Sequence, residues 1–119
     1  MVTPNPDFIY KVATGTVFRA SEAAGMFLGM PVDHADGYVH FSAAAQLRET
    51  LKLYFAGQSD LVLFAVRAGE LGKTLRWEPS RGGQLFPHVF GPVPMSTVGH
   101  SAGIAVAADG TVALPGWVQ

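Results

Sequence analysis

The stretch that decides the fold is Asp36-Gly37-Tyr38-Val39-His40-Phe41-Ser42. It begins with a turn-forming Asp-Gly pair and continues as alternating polar and apolar residues, a pattern typical of a short β-strand. Because successive strand side chains point to opposite faces, Tyr38, His40 and Ser42 share one face and the residues between them face the core. A phenol ring, an imidazole and a hydroxyl together could hold a planar, hydrogen-bonding ligand. The alternative is a half-buried His40 that is bonded to a backbone carbonyl and has a structural role only.

The clearest helix of the chain follows this strand. It is predicted over 43–56, with Ser42 as its N-cap and Gly57 as its C-terminal stop. Its apolar side chains recur at helical spacing, which predicts a face that packs on a sheet. Those side chains are Ala44, Leu47, Leu51, Tyr54 and Phe55.

The chain before the strand predicts a shorter helix and a loop. Gly29 and Pro31 interrupt the stretch 26–36, which is therefore predicted to be a surface loop. A short helix is predicted over 17–24. Its shared face is predicted to consist of Val17, Ala20 and Ala24.

The remaining segments are mainly strands, rich in β-branched and aromatic residues. Pro87 lacks an N–H, so its strand is predicted to lie at a sheet edge or a bulge. Asp109-Gly110 predicts a hairpin that leads into a last strand at 111–114. This order of elements indicates an α+β domain. The other predicted strands are 8–13, 61–66, 75–78, 85–90 and a region around 104–106.

Composition narrows the class of protein. With 119 residues, 49% of them hydrophobic and 14% charged, the chain is predicted to form one domain over 1–119. The 8 Lys and Arg are scattered and balanced by 9 Asp and Glu, which argues against nucleic-acid binding. The chain has no cysteine, no apolar run long enough to cross a membrane and no signal-peptide pattern. We therefore expect a cytoplasmic protein that binds neither a membrane nor nucleic acid.

Two further residues are candidates for chemistry. His88 lies between two prolines that fix its backbone, so it either presents its imidazole to a site or faces solvent from an edge strand. Glu78, next to Trp77, is either a buried general base or an ordinary surface carboxylate. The four histidines show no metal-ligand spacing, so no metal site is predicted.

Five blocks of the sequence resemble one known family. They are Ile9–Thr14, Asp36–Ser42, Leu61–Leu63, Leu75–Glu78 and Leu85–Pro94. Together they are similar to the domain of unknown function 952 family of small bacterial proteins, over roughly residues 8–98. Residues 99–119 lie beyond the resemblance. They are predicted to form a hairpin extension that covers a sheet edge or makes a homodimer contact.

The resemblance implies a fold and a ligand class. The family is similar in fold to ADP-ribosyltransferases, whose split antiparallel sheets enclose a cleft, here flanked by two main helices. Two blocks also resemble RNA 2'-phosphotransferase motifs: Tyr10–Thr14 is similar to Tyr-His-Gly-Thr, and Tyr38–Ser42 to His-Val-His-Leu-Ser. The implied function is binding of a nucleotide-like ligand, NAD or ADP-ribose, with ADP-ribosyl transfer or NAD glycosidic cleavage as the implied reaction. NAD would then be a substrate and not a bound cofactor.

The same resemblance assigns roles to residues. Lys11 stands where the related enzymes have the histidine that grips the nicotinamide half of NAD. This departure favours the alternative function, a non-catalytic module that binds a metabolite or a protein. The implied catalytic residues are His40, His88 and Glu78. The implied ligand-binding residues are Tyr10, Lys11, Thr14, Tyr38, Ser42 and Phe86.

Overall fold

The computed structural model describes residues 7–119, which contain three α-helices and eight β-strands. The helices are α1 (Gly15–Ala24), α2 (Pro31–Asp36) and α3 (Ala44–Phe55). The strands are β1 (Phe8–Thr14), β2 (Met26–Phe27), β3 (Val39–His40), β4 (Leu61–Arg67), β5 (Leu75–Pro79), β6 (Leu85–Val89), β7 (Val93–Pro94) and β8 (Val98–Ile104). All strand pairs are antiparallel, which confirms the predicted α+β class.

The described strands form three sheets, in the orders β1-β4-β8, β3-β6-β5 and β2-β7. One isolated bridge, between Tyr10 and Ser42, joins the first sheet to the chain just after β3. Its two N–H···O distances are 2.9 and 2.8 Å. No further pair joins β1 to β3 in the described part of the chain, so beyond this bridge the two sheets separate and leave a cleft.

The core lies on both faces of the first sheet, because its strands alternate their side chains. Ile9 and Phe64 pack on one face with Phe18 of α1. Tyr10 and Leu63 pack on the other face. There they meet Leu47 and Leu51 of α3 and the C-terminal residues Val112, Leu114, Trp117 and Val118.

The first helix differs from its prediction in start and in face. It begins at Gly15, because the Thr14 hydroxyl accepts the N–H of Val17 at 3.2 Å and caps it two residues earlier than predicted. The predicted shared face is wrong, because the bulky Phe18 and not the alanines decides which side is buried. The buried residues of α1 are Gly15, Phe18 and Ser21.

The predicted cap of α3 is also wrong. Ser42 is held in the bridge to Tyr10, and the N-cap position belongs to Ala43. The side chain of Gln46 reaches back to accept the N–H of Ala43 at 2.9 Å. Leu51 is fully buried as predicted, whereas Tyr54 is 62% exposed and does not belong to the core.

The stretch 26–36 is not the predicted loop. It contains β2 and the helix α2, in which Pro31 occupies the first turn, where its missing N–H has no helical partner to lose. Gly37 ends α2 in the left-handed conformation, with φ of 85°. Pro31, which indicated a loop, is therefore the start signal of a short helix, and Gly37 is its stop signal.

Pro87 lies in the central strand of its sheet, contrary to the prediction of an edge or bulge. Its carbonyl accepts the N–H of Phe41 at 3.0 Å. Its missing N–H would point to that same side and away from β5, so the proline removes no bond to β5 and forgoes only a second bond to Phe41, just past the end of β3.

The predicted C-terminal hairpin is wrong as well. The turn at Asp109-Gly110 forms, with the N–H of Gly110 on the Ala107 carbonyl at 2.8 Å. However, 111–114 is not a strand. Its apolar side chains cover the second face of the first sheet, because burial there stabilises the segment without strand pairing.

Candidate functional site

The cleft between the separating sheets is a cavity of about 610 Å³. Its walls come from β1, α2, β3, α3 and β6. It brings together seven of the nine predicted site residues, Tyr10, Lys11, Tyr38, His40, Ser42, Phe86 and His88. Glu78 contacts one of them from outside the lining. Thr14 lies apart from the lining, at the cap of α1, where its hydroxyl accepts the N–H of Val17. Its predicted contact with a ligand stays a prediction.

Two histidines and a tyrosine form the aromatic centre of the cleft. His40 and His88 are directly opposite each other in the β3–β6 pair, so their rings share one face of the sheet. Their ring centroids are 5.7 Å apart. The Tyr38 ring stacks on His88 at 4.2 Å and lies 4.6 Å from His40. Burial first, then the carboxylates of Asp36 and Glu78, raise the pKa of Tyr38, which keeps the phenol protonated.

Glu78 and His88 form a carboxylate–imidazole pair. The His88 Nδ1 lies 2.8 Å from the Glu78 Oε1, and the His88 side chain is only 4% exposed. A carboxylate at Nδ1 favours the tautomer that carries its proton there and leaves Nε2 as the basic nitrogen. Because His88 lines the cavity, this arrangement is suited to taking a proton from a bound group.

The most buried charge in the site belongs to Asp33, a residue that the sequence analysis did not single out. Its carboxylate, 1% exposed, lies 2.9 Å from the Lys11 Nζ and 2.6 Å from the His40 Nδ1. It also accepts the backbone N–H groups of Met30 at 2.6 Å and His40 at 3.0 Å. One side chain of α2 therefore ties β1 to β3 across the cleft.

The charge state of this network follows from its contacts. Burial acts to raise the pKa of Asp33, but hydrogen bonds from His40 and the charge of Lys11 outweigh it and lower the pKa to about 2. Burial lowers the pKa of Lys11, and the Asp33 carboxylate opposes that change. The Lys11 ammonium is therefore held by a carboxylate of the protein, and its predicted contact with a ligand stays a prediction. A sequence signal for Asp33 did exist, since a proline followed two residues later by an acid is typical of a helix start.

The opposite wall of the cleft comes from α3 and from the connection between β5 and β6, and it carries the positive charge of Arg81. The Arg81 guanidinium lies over the Phe86 ring at 4.9 Å and 3.3 Å from the Thr50 hydroxyl. That hydroxyl is in turn 3.3 Å from the hydroxyl of Ser42. The Tyr10 side chain packs on the second face of its sheet with Leu47, and its hydroxyl bonds the backbone of Gln119.

Within 7–119, no group of three or more His, Asp or Glu side chains could hold a metal ion. Within the same residues, no helix is long and apolar enough to span a membrane.

Comparison with known proteins gives a family and two similar structures. The model of a family described as "Protein of unknown function (DUF952)" matches residues 12–101. A crystal structure of protein CC0527 from Caulobacter crescentus is 44% identical, with a TM-score of 0.84, and the match covers 89% of this chain and 93% of that chain. A solution NMR structure of CC0527 is 46% identical, with a TM-score of 0.77 and coverage of 88% and 90%. No curated protein matches the chain.

Proposed function

Because the chain belongs to the DUF952 family, whose function is unknown, we propose a function from the cleft itself: it binds a nucleotide-type ligand such as NAD or ADP-ribose. The observation that carries this proposal is the convergence of the Tyr38, His40 and His88 rings in a cavity of about 610 Å³. Small-molecule pockets are typically about 300–1,000 Å³ and combine aromatic walls with a few fixed polar groups. A planar base or pyridine ring suits such a set of rings.

The proposal includes a likeness of fold to ADP-ribosyltransferases. It is supported by the two antiparallel sheets that meet at the Tyr10–Ser42 bridge and then separate. Backbone and side-chain groups from both sheets line the resulting cleft, so a ligand there would contact both at once.

The reaction that fits this site is cleavage of the bond between a ribose carbon and nicotinamide. The bonding electron pair leaves with nicotinamide, and the ribose carbon becomes an oxocarbenium-like centre. A water or another hydroxyl then attacks that carbon, and its proton passes to the Nε2 of His88. Glu78, bonded to Nδ1, stabilises the imidazolium that forms.

A second candidate is a non-catalytic binding module, and one observation favours it. Both ring nitrogens of His40 are already occupied, Nδ1 by Asp33 at 2.6 Å and Nε2 by Asp36 at 2.9 Å. Lys11 is held by the same Asp33. In this arrangement neither side chain is free to act on a substrate, and both serve to shape the pocket.

Titration calorimetry with NAD and ADP-ribose tests the binding proposal. We expect binding by the wild-type protein, weakened about tenfold by Tyr38→Ala because stacking and burial are lost. His34→Ala is the matched control, since His34 is exposed on α2 and does not line the cleft. Absence of binding at millimolar concentrations of NAD and ADP-ribose would overturn the proposal.

A second measurement separates the two candidates. Release of nicotinamide from NAD, followed by chromatography, is expected only from an enzyme. Loss of that release in His88→Ala, with NAD binding retained, would support catalysis. Binding without release in the wild-type protein supports the non-catalytic module.

A further inference from the structure

We propose that Arg81, Thr50 and Ser42 form a subsite for a phosphate group of the cleft's ligand. This inference rests on the proposed nucleotide-binding function and names the part of the ligand that the α3 wall recognises. The three side chains form a continuous row, with 3.3 Å from the Arg81 Nη2 to the Thr50 Oγ1 and 3.3 Å from there to the Ser42 Oγ.

The position of Arg81 is fixed by its loop and by the rings around it. Arg81 begins the single helical turn Arg81–Gly83 between β5 and β6. The N–H of Ser80 bonds the Gln84 carbonyl at 2.9 Å and closes this loop. The guanidinium lies over the Phe86 ring at 4.9 Å, and the Arg81 side chain stays 25% exposed.

The distribution of charge leaves Arg81 as the cation available to a ligand. Among the cleft-lining residues of the described chain, Lys11 and Arg81 carry the permanent positive charges. Lys11 is neutralised by the buried Asp33 at 2.9 Å. The carboxylate nearest to Arg81 is that of Glu49, which is 60% exposed and 3.6 Å away. An exposed pair of this kind is weak, so an entering anion can displace it.

The chemistry of the row matches a phosphate. Phosphate oxygens accept charge-assisted hydrogen bonds from a guanidinium, and its planar fork can hold two of them at once. The hydroxyls of Thr50 and Ser42 can donate to further oxygens. With the aromatic rings of the cleft on the other wall, the ligand would be bound by its ring at one side and by its phosphate at the other.

Calorimetry with three probes, ADP, adenosine and inorganic pyrophosphate, tests the subsite. ADP is expected to bind the wild-type protein at least about tenfold more tightly than adenosine does, because only ADP carries phosphates. Arg81→Gln should remove this advantage while leaving the melting temperature and adenosine binding unchanged. Arg76→Gln is the matched control, since Arg76 also lies over a ring, that of Phe90 at 5.3 Å, but outside the cleft lining.

A variant with the opposite expected effect sharpens the test. Glu49→Gln removes the carboxylate that competes with the ligand for Arg81, so ADP and pyrophosphate should bind up to about fivefold more tightly. Arg81→Lys keeps the charge without the planar fork and should regain only part of the advantage of ADP over adenosine.

The outcomes separate the subsite from the proposed function. If adenosine and ADP bind, and Arg81→Gln leaves the advantage of ADP intact, the subsite is overturned and nucleotide binding stands. If neither nucleoside nor nucleotide binds, the proposed function is overturned and pyrophosphate alone decides the subsite. Pyrophosphate binding that Arg81→Gln abolishes would still support it, and no pyrophosphate binding would overturn it.

Discussion

Replacing Asp33 with asparagine removes the buried charge that holds Lys11 and His40 in the cleft wall, while keeping the shape of the side chain. Asparagine also exchanges one acceptor oxygen for an NH₂ donor. The carboxylate now accepts from Lys11, from the ring and backbone of His40, and from the N–H of Met30. In Asp33→Asn, the Lys11 ammonium is left buried without a counter-charge, and one of these N–H groups faces another donor.

The expected decrease in the free energy of unfolding of Asp33→Asn follows from the buried ion pair and from the pKa of Asp33. Removing one partner of a buried ion pair typically costs about 3–5 kcal/mol in the free energy of unfolding. The part that depends on ionisation follows from the pKa of Asp33, which is about 2 in the folded protein. Against an ordinary value of about 4, that difference is worth about 2.5 kcal/mol. Because the folded pKa is the lower one, this stabilisation is present above about pH 4 and is lost as the pH falls towards 2.

Urea denaturation of the wild-type protein and Asp33→Asn at several pH values between 2 and 7 measures both parts. We expect a difference in the free energy of unfolding of about 3–5 kcal/mol at pH 7 that narrows by about 2 kcal/mol at pH 2, where half of the folded protein still has an ionised Asp33. Asp36→Asn is the control, since that carboxylate is 47% exposed and should cost less than about 1 kcal/mol. Equal stability of wild type and Asp33→Asn at pH 7, or a difference that does not change with pH, would refute this account of the network.

Three further variants test the packing away from the cleft. Tyr10→Phe removes a hydroxyl bonded to the Gln119 backbone and should cost about 1 kcal/mol in urea denaturation, and no change would mean that this bond is not formed in solution. Trp117→Ala uncovers the second face of the first sheet and should cost about 2 kcal/mol. It should leave ADP binding as it is, because Trp117 does not line the cleft, and weakened binding would show that this packing also shapes the cleft. Gly110→Ala should lower the melting temperature, at a cost of about 1–3 kcal/mol, because φ is +87° and a Cβ would overlap the Lys52 side chain. An unchanged melting temperature would show that the turn can rearrange.

The sequence predicted those parts of the fold whose pattern is local. The strands β1, β4 and β5 follow from their apolar and β-branched runs, and the shared face of Tyr38, His40 and Ser42 follows from strand alternation alone. All three of those side chains line the cleft. The opposition of His40 and His88 depends on the register between β3 and β6, which no local pattern specifies.

The predictions that were wrong share a physical cause. In each case the local sequence pattern fits more than one structure, and tertiary contacts determine which one forms. Helix α2 has no apolar period, because Asp33 is its one buried residue and the others face solvent. Gly29 and Pro31 therefore indicated a loop over 26–36. Pro87 is tolerated in a central strand only because β3 is so short. Segment 111–114 has the composition of a strand, but its partly buried Val112 and Leu114 pack on the second face of the first sheet without strand pairing.

The single bridge between Tyr10 and Ser42 has a consequence for motion. β1 is paired with β4 over seven residues, whereas two backbone hydrogen bonds, the Asp33 contacts and the shared core packing of Val39 and Phe41 connect it to the wall formed by β3. Breaking the Tyr10–Ser42 bridge therefore requires fewer hydrogen bonds to open than separating β1 from β4. The amide protons of Tyr10 and Ser42 should exchange with solvent faster than those between β1 and β4, and their exchange rate reports how often the two walls part. A ligand that contacts both walls should slow that exchange without altering the rest of the first sheet.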